Sequence, residues 1–290
     1  MIFPNGMKVR VALAQVDSRV GDLAYNVEHH IRFIDRALRQ RAKLIVFPEL
    51  SLTGYTLRDL AQDIAVDPAE SRLLAPLRAR SRKITIAAGL VESGKDHGLY
   101  NSAVCFENGE VRHVHRKIYP PTYGMFEEGR YFSRGNSVRA FETRVGRVGM
   151  LICEDLWHIP LPYLLVRDGA EMILGLAASP TRLDGEKKDL SNASVNHGHH
   201  ATYARLLSSY VLFSNRVGFE DGVNFWGGSG VHDPSGDQLK CGKYFEEDLV
   251  VTEIDTDEVR RARRFSRHVL DDDPQIVLDS LRRLKNRSIL

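Results

Sequence analysis

Cysteine is scarce: there are three in 290 residues, Cys105, Cys153 and Cys241, an odd number, widely spaced and without a C-x-x-C pair. Neither a disulfide framework nor a cysteine-pair metal site is expected, and a reducing, cytoplasmic setting follows as the expectation. Also missing is any apolar stretch of 18 residues, which argues against a membrane span. The N-terminus, MIFPNGMKVR, lacks the basic, apolar and small-residue succession of a signal peptide. Neither sign of charge dominates, because 40 Lys and Arg against 38 Asp and Glu leave a formal charge of +2. That is far from the basic excess needed to track a phosphate backbone, so nucleic acid is not an expected partner. No internal repeat or low-complexity linker interrupts the chain. What is present, 43% hydrophobic and 27% charged residues, suffices for a large core and excludes disorder and collagen-like structure. One domain over 1–290 is expected.

The opening run from Val9 to Val16 (VRVALAQV) reads as a strand, and Val27, Ile31, Ile34 and Leu38 fall at helical spacing between Leu23 and Arg41. KLIVF, ending at Pro48, reads as a strand buried on both faces, which leaves Glu49 just past its end. Further expected elements are a helix over Ala69 to Ser81 and a meander of Ile84 to Val91, Ala103 to Phe106 and Val111 to His115. Strands over Arg147 to Ile152, Met172 to Leu176 and Tyr210 to Ser214 follow, with a helix from about Lys188 to Leu207. Interleaved strands, helices and hairpins predict an α/β fold with mixed sheets inside and helices outside. From Glu258 onward, five arginines between 260 and 267 precede Asp271 to Asp273 and a polar amphipathic helix. This C-terminal extension, 258–290, is expected to be peripheral and to pack at a subunit interface, as a solvated or interface helix rather than an anion patch.

Three segments carry a reactive side chain at or near a strand end, where open α/β sheets assemble their sites: FPELSLTGY with Glu49, HRKIYPP with Lys117, and LICEDLW with Cys153. Alone, the cysteine reads as a core thiol and the lysine as a solvated charge, and Glu49 by itself is a weaker signal still. Together they make a chemistry. A thiol with an ordinary pKa of about 8.5 needs an adjacent base, and a carboxylate shielded from water serves. Attack on an amide carbonyl builds negative charge on oxygen, which the Lys117 ammonium and the Glu154 backbone N–H are suited to meet.

These segments, with HRKIYPPTYGMFEEGRYF, GMLICEDLW and SNRVGFEDGVNFWGGSGVHDPSG in order, resemble the nitrilase superfamily of carbon-nitrogen hydrolases over nearly the whole chain. The resemblance implies a four-layer αββα sandwich that pairs into a homodimer or higher homo-oligomer, and a cofactor-free Glu-Lys-Cys triad. Carried over by motif, Glu49 is the general base, Lys117 binds the oxyanion, Cys153 is the nucleophile, and Glu128 in FEEGRYF orients the lysine and substrate. The implied activity is hydrolysis of a linear non-peptide amide to carboxylate and ammonia through a thioester. A true nitrilase acting on C≡N, and a glutaminase-like subunit delivering ammonia to a separate synthetase, stand as alternatives.

Within the superfamily the sequence points two ways. CEDLW, PTYGMFEEGRYF and Ser179-Pro180 are similar to the glutaminase domain of glutamine-dependent NAD synthetases, and that likeness nominates Tyr123, Glu154 and Ser179 for substrate contact. NRVGFEDGVNFWGGSGVHDPSG is closer to free-standing aliphatic and carbamoyl amidases, and TRLDGEKKDL after Pro180 does not reproduce a synthetase pattern. No SGGxDS-type sequence follows, so a free-standing hydrolase is expected.

Other features are set aside. His197, His199 and His200 do not share one helix face and no H-E-x-x-H helix is present, so they read as exposed histidines at a polar helix start, with no metal. Phe225 to Gly230 lacks phosphate-loop order and reads as a tight turn beside the site. Trp157 either lines the pocket or caps the core. Cys105 reads as core, and Cys241 as an exposed turn thiol.

Overall fold

The computed structural model describes residues 6–181 and 190–286. Two six-stranded sheets form its centre. The strands, in chain order, are β1 (Lys8–Gln15), β2 (Leu44–Val46), β3 (Thr85–Ser93), β4 (Leu99–Glu107), β5 (Glu110–Arg116), β6 (Phe141–Thr143), β7 (Gly146–Ile152), β8 (Met172–Ala177), β9 (Tyr210–Asn215), β10 (Val217–Glu220), β11 (Val223–Trp226), β12 (Gly230–His232), β13 (Gln238–Cys241) and β14 (Asp248–Asp255). The first sheet runs β14-β1-β2-β3-β4-β5, the second β13-β12-β9-β8-β7-β6, and β10 and β11 form a separate hairpin. In each sheet the middle strands are parallel and the outer ones antiparallel, the mixed arrangement expected from the sequence.

The helices are α1 (Leu23–Arg39), α2 (Ala61–Ile64), α3 (Ala75–Ser81), α4 (Glu128–Tyr131), α5 (Pro160–Arg167), α6 (Ser191–Leu206), α7 (Asp257–Ser266), α8 (His268–Asp271) and α9 (Pro274–Lys285). Three apolar layers explain the stacking. Val11, Leu13, Val46, Met150, Leu174 and Leu212 fill the space between the sheets. Phe33, Ile34 and Ala37 of α1 and Leu77 of α3 cover the outer face of the first sheet. Leu161 and Leu165 of α5 and Ala193 and Ala204 of α6 cover the second. The result is the four-layer αββα sandwich. Cys105 is core, as expected.

The helix expected from Ala69 begins only at Ala75, after a 3₁₀ turn, because Pro76 has no N–H to donate and fits only a first helical turn. The expected start of α6 at Lys188 lies outside the described residues. Among those described, no helix is long and apolar enough to cross a membrane.

His30 of α1 fastens that helix to the loop after β2. Its Nδ1 donates to the Asn26 carbonyl at 2.7 Å, Nε2 accepts from the Ser51 hydroxyl at 2.9 Å, and the ring stacks on Phe47 with centroids 4.0 Å apart. Burial drives its pKa down to about 3. An unfolded histidine takes up a proton near pH 6.5, so the stability this group contributes is complete above that pH and drains as pH falls toward 3. Between pH 6.5 and 5 the loss is about 2 kcal/mol. His30→Gln is expected to flatten the pH dependence of urea unfolding by that amount, and parallel profiles would refute the assignment.

Candidate active site

The strand ends deliver the reactive groups to one end of the sandwich. β2 closes at Val46, and Phe47-Pro48 turns the chain so that Glu49 lies against β3. Gly89 makes this approach possible: a Cβ there would sit 2.2 Å from the Leu50 nitrogen and 2.7 Å from the Pro48 carbonyl oxygen. Lys117 follows β5 directly. Cys153 follows β7 in left-handed backbone, φ +45°, at the head of a 3₁₀ turn through Trp157.

Four expected groups meet. Lys117 Nζ donates to Glu49 Oε1 and to Glu128 Oε1, each at 2.7 Å, and all three side chains are buried. Asn101 Nδ2 donates to Glu49 Oε1 at 2.8 Å and to Glu128 Oε2 at 3.3 Å, while the Tyr55 hydroxyl donates to Glu128 Oε1 at 2.6 Å. The Ala178 N–H, just past β8, donates to Glu49 Oε2 at 2.9 Å and is also turned toward the Cys153 sulfur, so thiol and carboxylate share one backbone donor.

One ammonium thus sits between two carboxylates. Burial opposes the charge on Lys117, but Glu128 and Glu49 outweigh it and hold the ammonium above the ordinary lysine range. Burial also raises the Glu128 carboxyl against the pull of Lys117, with Glu49 adding to the rise. For Cys153, burial and then the Glu49 charge push the thiol well above its usual pKa, against Lys117 and the Ala178 hydrogen bond. The direction of that shift keeps the resting sulfur a protonated thiol, with the Glu49 carboxylate nearby.

The residues nominated for substrate contact divide. The Tyr123 hydroxyl donates to Glu154 Oε2 at 2.7 Å, and both border a cleft of about 460 Å³ with Pro121 and His158. Ser179 lies apart from that cleft's lining, its Oγ accepting from Trp226 Nε1 at 3.1 Å and Asn192 Nδ2 at 3.3 Å, and its N–H donating to Asn215 Oδ1 at 2.8 Å. A second cleft, about 370 Å³, reaches Glu128 past Tyr55, Tyr131, Met125 and Asp221. Trp157 is 43% exposed and packs edge-on against His199, so it does not cap the core. Gly227 and Gly228, both at positive φ, link β11 to β12 next to Ser229.

Several organising residues escaped the sequence reading. Buried Asp155 accepts from the Ile118 and Tyr119 N–H groups at 3.0 and 3.1 Å, from Ile152 N–H at 3.3 Å and from His115 Nε2 at 2.9 Å. It thereby ties the lysine-bearing chain to the cysteine turn. Buried Arg216 pairs with Glu220, whose Oε1 accepts the Tyr55 N–H at 2.9 Å and the Thr56 N–H, fixing the loop that brings Tyr55 to Glu128. The only sequence signal was the presence of charged residues, Asp155 in CEDLW and Arg216 in NRVGF, beside apolar strand runs.

A thiol, an ammonium and two carboxylates gather in this αββα sandwich, and the class of protein is that of the hydrolases of carbon-nitrogen bonds. The chain belongs to the carbon-nitrogen hydrolase family, whose model matches residues 10–264, and with it to the nitrilase superfamily. It is 33% identical over 257 residues to the glutamine-dependent NAD(+) synthetase of Thermotoga maritima, covering 87% of this chain and 43% of that one. The chain thus spans less than half the length of such curated relatives. Among solved structures, the glutamine-dependent NAD+ synthetase of Acinetobacter baumannii superposes with a TM-score of 0.77 at 31% identity, over 87% of this chain and 47% of that one. A carbon-nitrogen hydrolase from Helicobacter pylori superposes with a TM-score of 0.79 at 22% identity, over 94% and 98% of the two chains, which supports the fold alone.

Proposed function

We propose that this chain is a cofactor-free thiol amidase that hydrolyses a linear, glutamine-type amide to carboxylate and ammonia through a thioester on Cys153. The observation that carries the reading is the Lys117 ammonium held at 2.7 Å from both Glu49 and Glu128, with the thiol and Glu49 facing one backbone N–H. In the first half-reaction the Cys153 proton passes to Glu49 as sulfur bonds to the amide carbon, and the carbonyl electron pair moves to oxygen. Lys117 and the Glu154 N–H meet that oxyanion. Its collapse breaks the C–N bond, and the nitrogen leaves as ammonia with the proton from Glu49. Water then gives a proton to Glu49 while its oxygen attacks the thioester, and breaking the C–S bond returns the proton to sulfur. Glu128, bonded to Lys117, Asn101 and Tyr55, orients the ammonium and takes no proton in the cycle.

Glutamine is favoured over carbamoyl compounds and short aliphatic amides by the likeness to glutamine-dependent synthetases and by the Tyr123–Glu154 pair, a hydrogen-bonding group suited to an α-amino end. The same likeness favours delivery of the ammonia to a synthetase. Ammonia release should be measured from glutamine, asparagine, carbamoyl amino acids, short amides and nitriles. Preferential turnover of glutamine, alone or on addition of a synthetase, is the expected result. Preference for nitriles would replace the amidase reading.

Residues 258–286 fit a subunit interface in a homodimer. None of the α9 side chains is buried, and Val277 and Leu281, one turn apart, are 42% and 54% exposed. Val277→Asp with Leu281→Asp is expected to shift the sedimentation of the chain from dimer to monomer, and an unchanged dimer would remove α9 from the interface.

A further inference from the structure

α6 carries a side-chain cluster that the acyl-transfer centre does not use. His197 and His200 stand at i, i+3, on one face of the helix, and that face packs on β12, where His232 is the last residue. The three ring centroids form a near-regular triangle with sides of 5.5, 5.9 and 6.3 Å. One nitrogen from each ring lies within 4.8 Å of the others. The reading of these histidines as exposed is therefore corrected: His200 and His232 are each 1% exposed and His197 is half-buried. His199 points elsewhere, against Trp157. Cys241 is likewise not an exposed turn thiol, since it lies half-buried at the end of β13 with its sulfur 3.9 Å from His197 Nε2.

We propose that His197, His200 and His232 form a binding site for one divalent transition-metal ion of the zinc class. The Nδ1 atoms of His200 and His232 are buried and have no hydrogen-bond partner. A buried polar nitrogen left unpaired is costly, so two of them on neighbouring rings, one packed on Phe213, call for a ligand. Imidazole nitrogen beside a thiol, with no carboxylate in the group, selects zinc-like ions over magnesium or calcium. Zinc held about 2.0–2.1 Å from each nitrogen needs nitrogens about 3.3 Å apart, so the widest pair closes by about 1.5 Å, within the reach of side-chain rotation. Cys241 Sγ, 3.9 Å from His197 Nε2, borders the group without belonging to it.

Such an ion fastens α6 to β12. It also reaches the catalytic end of the sandwich, because His197 packs on Trp226, whose Nε1–H holds Ser179 Oγ at 3.1 Å. Its role is structural, since none of its ligands touches Cys153, Lys117 or Glu49.

The test uses the full chain carrying Cys153→Ala, so that this thiol cannot hold metal, stripped with chelator and titrated with Zn²⁺ against a chromophoric competitor. One Zn²⁺ per chain is expected, with a rise in unfolding temperature, and Co²⁺ should give the visible absorption of a four-coordinate site. Adding His197→Ala should weaken the affinity at least tenfold, whereas His199→Ala should leave it unchanged. His232→Asn serves as the second ligand variant if His197→Ala does not fold. Absence of stoichiometric binding by the folded parent chain, or unchanged affinity in the folded ligand variant, overturns the site.

Discussion

Replacing Cys153 by alanine is expected to lower ammonia release by about 10⁴-fold or more, with the fold intact, because in the proposed mechanism the variant loses the thiol that forms the acyl bond. The raised pKa of this thiol sharpens the expectation. A resting thiolate would make the side chain broadly reactive. A protonated thiol beside Glu49 reacts when its proton can pass to the carboxylate as the carbon–sulfur bond forms. Alkylation of the resting protein by iodoacetamide at pH 7 should consequently be slow and should accelerate as pH rises, while substrate amide acylates the same sulfur rapidly. Rapid alkylation at neutral pH would count against the protonated resting state. Ammonia release surviving in Cys153→Ala would remove the thioester from the cycle.

Lys117→Met is the second large effect, and it acts on stability and rate together. The native ammonium faces two buried carboxylates at 2.7 Å, and removing it leaves Glu49 and Glu128 without their cation. Breaking a buried pair of this kind costs about 3–5 kcal/mol, seen as a lower urea midpoint. The rate should fall by about 10²-fold or more through loss of the oxyanion partner. Adding Glu128→Gln separates the two effects. With one carboxylate neutralised, part of the lost stability should return, since the single amide oxygen of the new side chain can still accept from the Tyr55 hydroxyl. Activity should not return. A Lys117→Met protein that keeps wild-type kcat would eliminate the ammonium as oxyanion partner, and a double variant no more stable than the single one would show that charge repulsion is not the source of the loss.

The layered fold and the positions of the reactive groups were largely legible before any coordinates. Buried strands such as LIV of β2 and GRVGMLI of β7 announce themselves as apolar runs, and a parallel strand presents whatever follows it at the same sheet end. Glu49 and Cys153 were visible for that reason. The pairing of β1 with β14, 240 residues downstream, was not legible, because strand partners leave no mark in either local pattern.

The sequence of this chain carried its apolar periodicity, its strand-end Glu49, Lys117 and Cys153, and Glu128 within an ordered motif. Those features depend on neighbours along the chain, and short-range patterns are read from short-range order. Tertiary structure alone decided which polar residues are buried and with whom. Asn101 bridges both carboxylates from β4, Asp155 joins two segments 37 residues apart, and Arg216 with Glu220 holds a loop some 165 residues away. It also exchanged His199 for His232 in the imidazole cluster, because a helix face is completed by the strand that packs against it, and burial of a polar group is a property of contacts made across the fold.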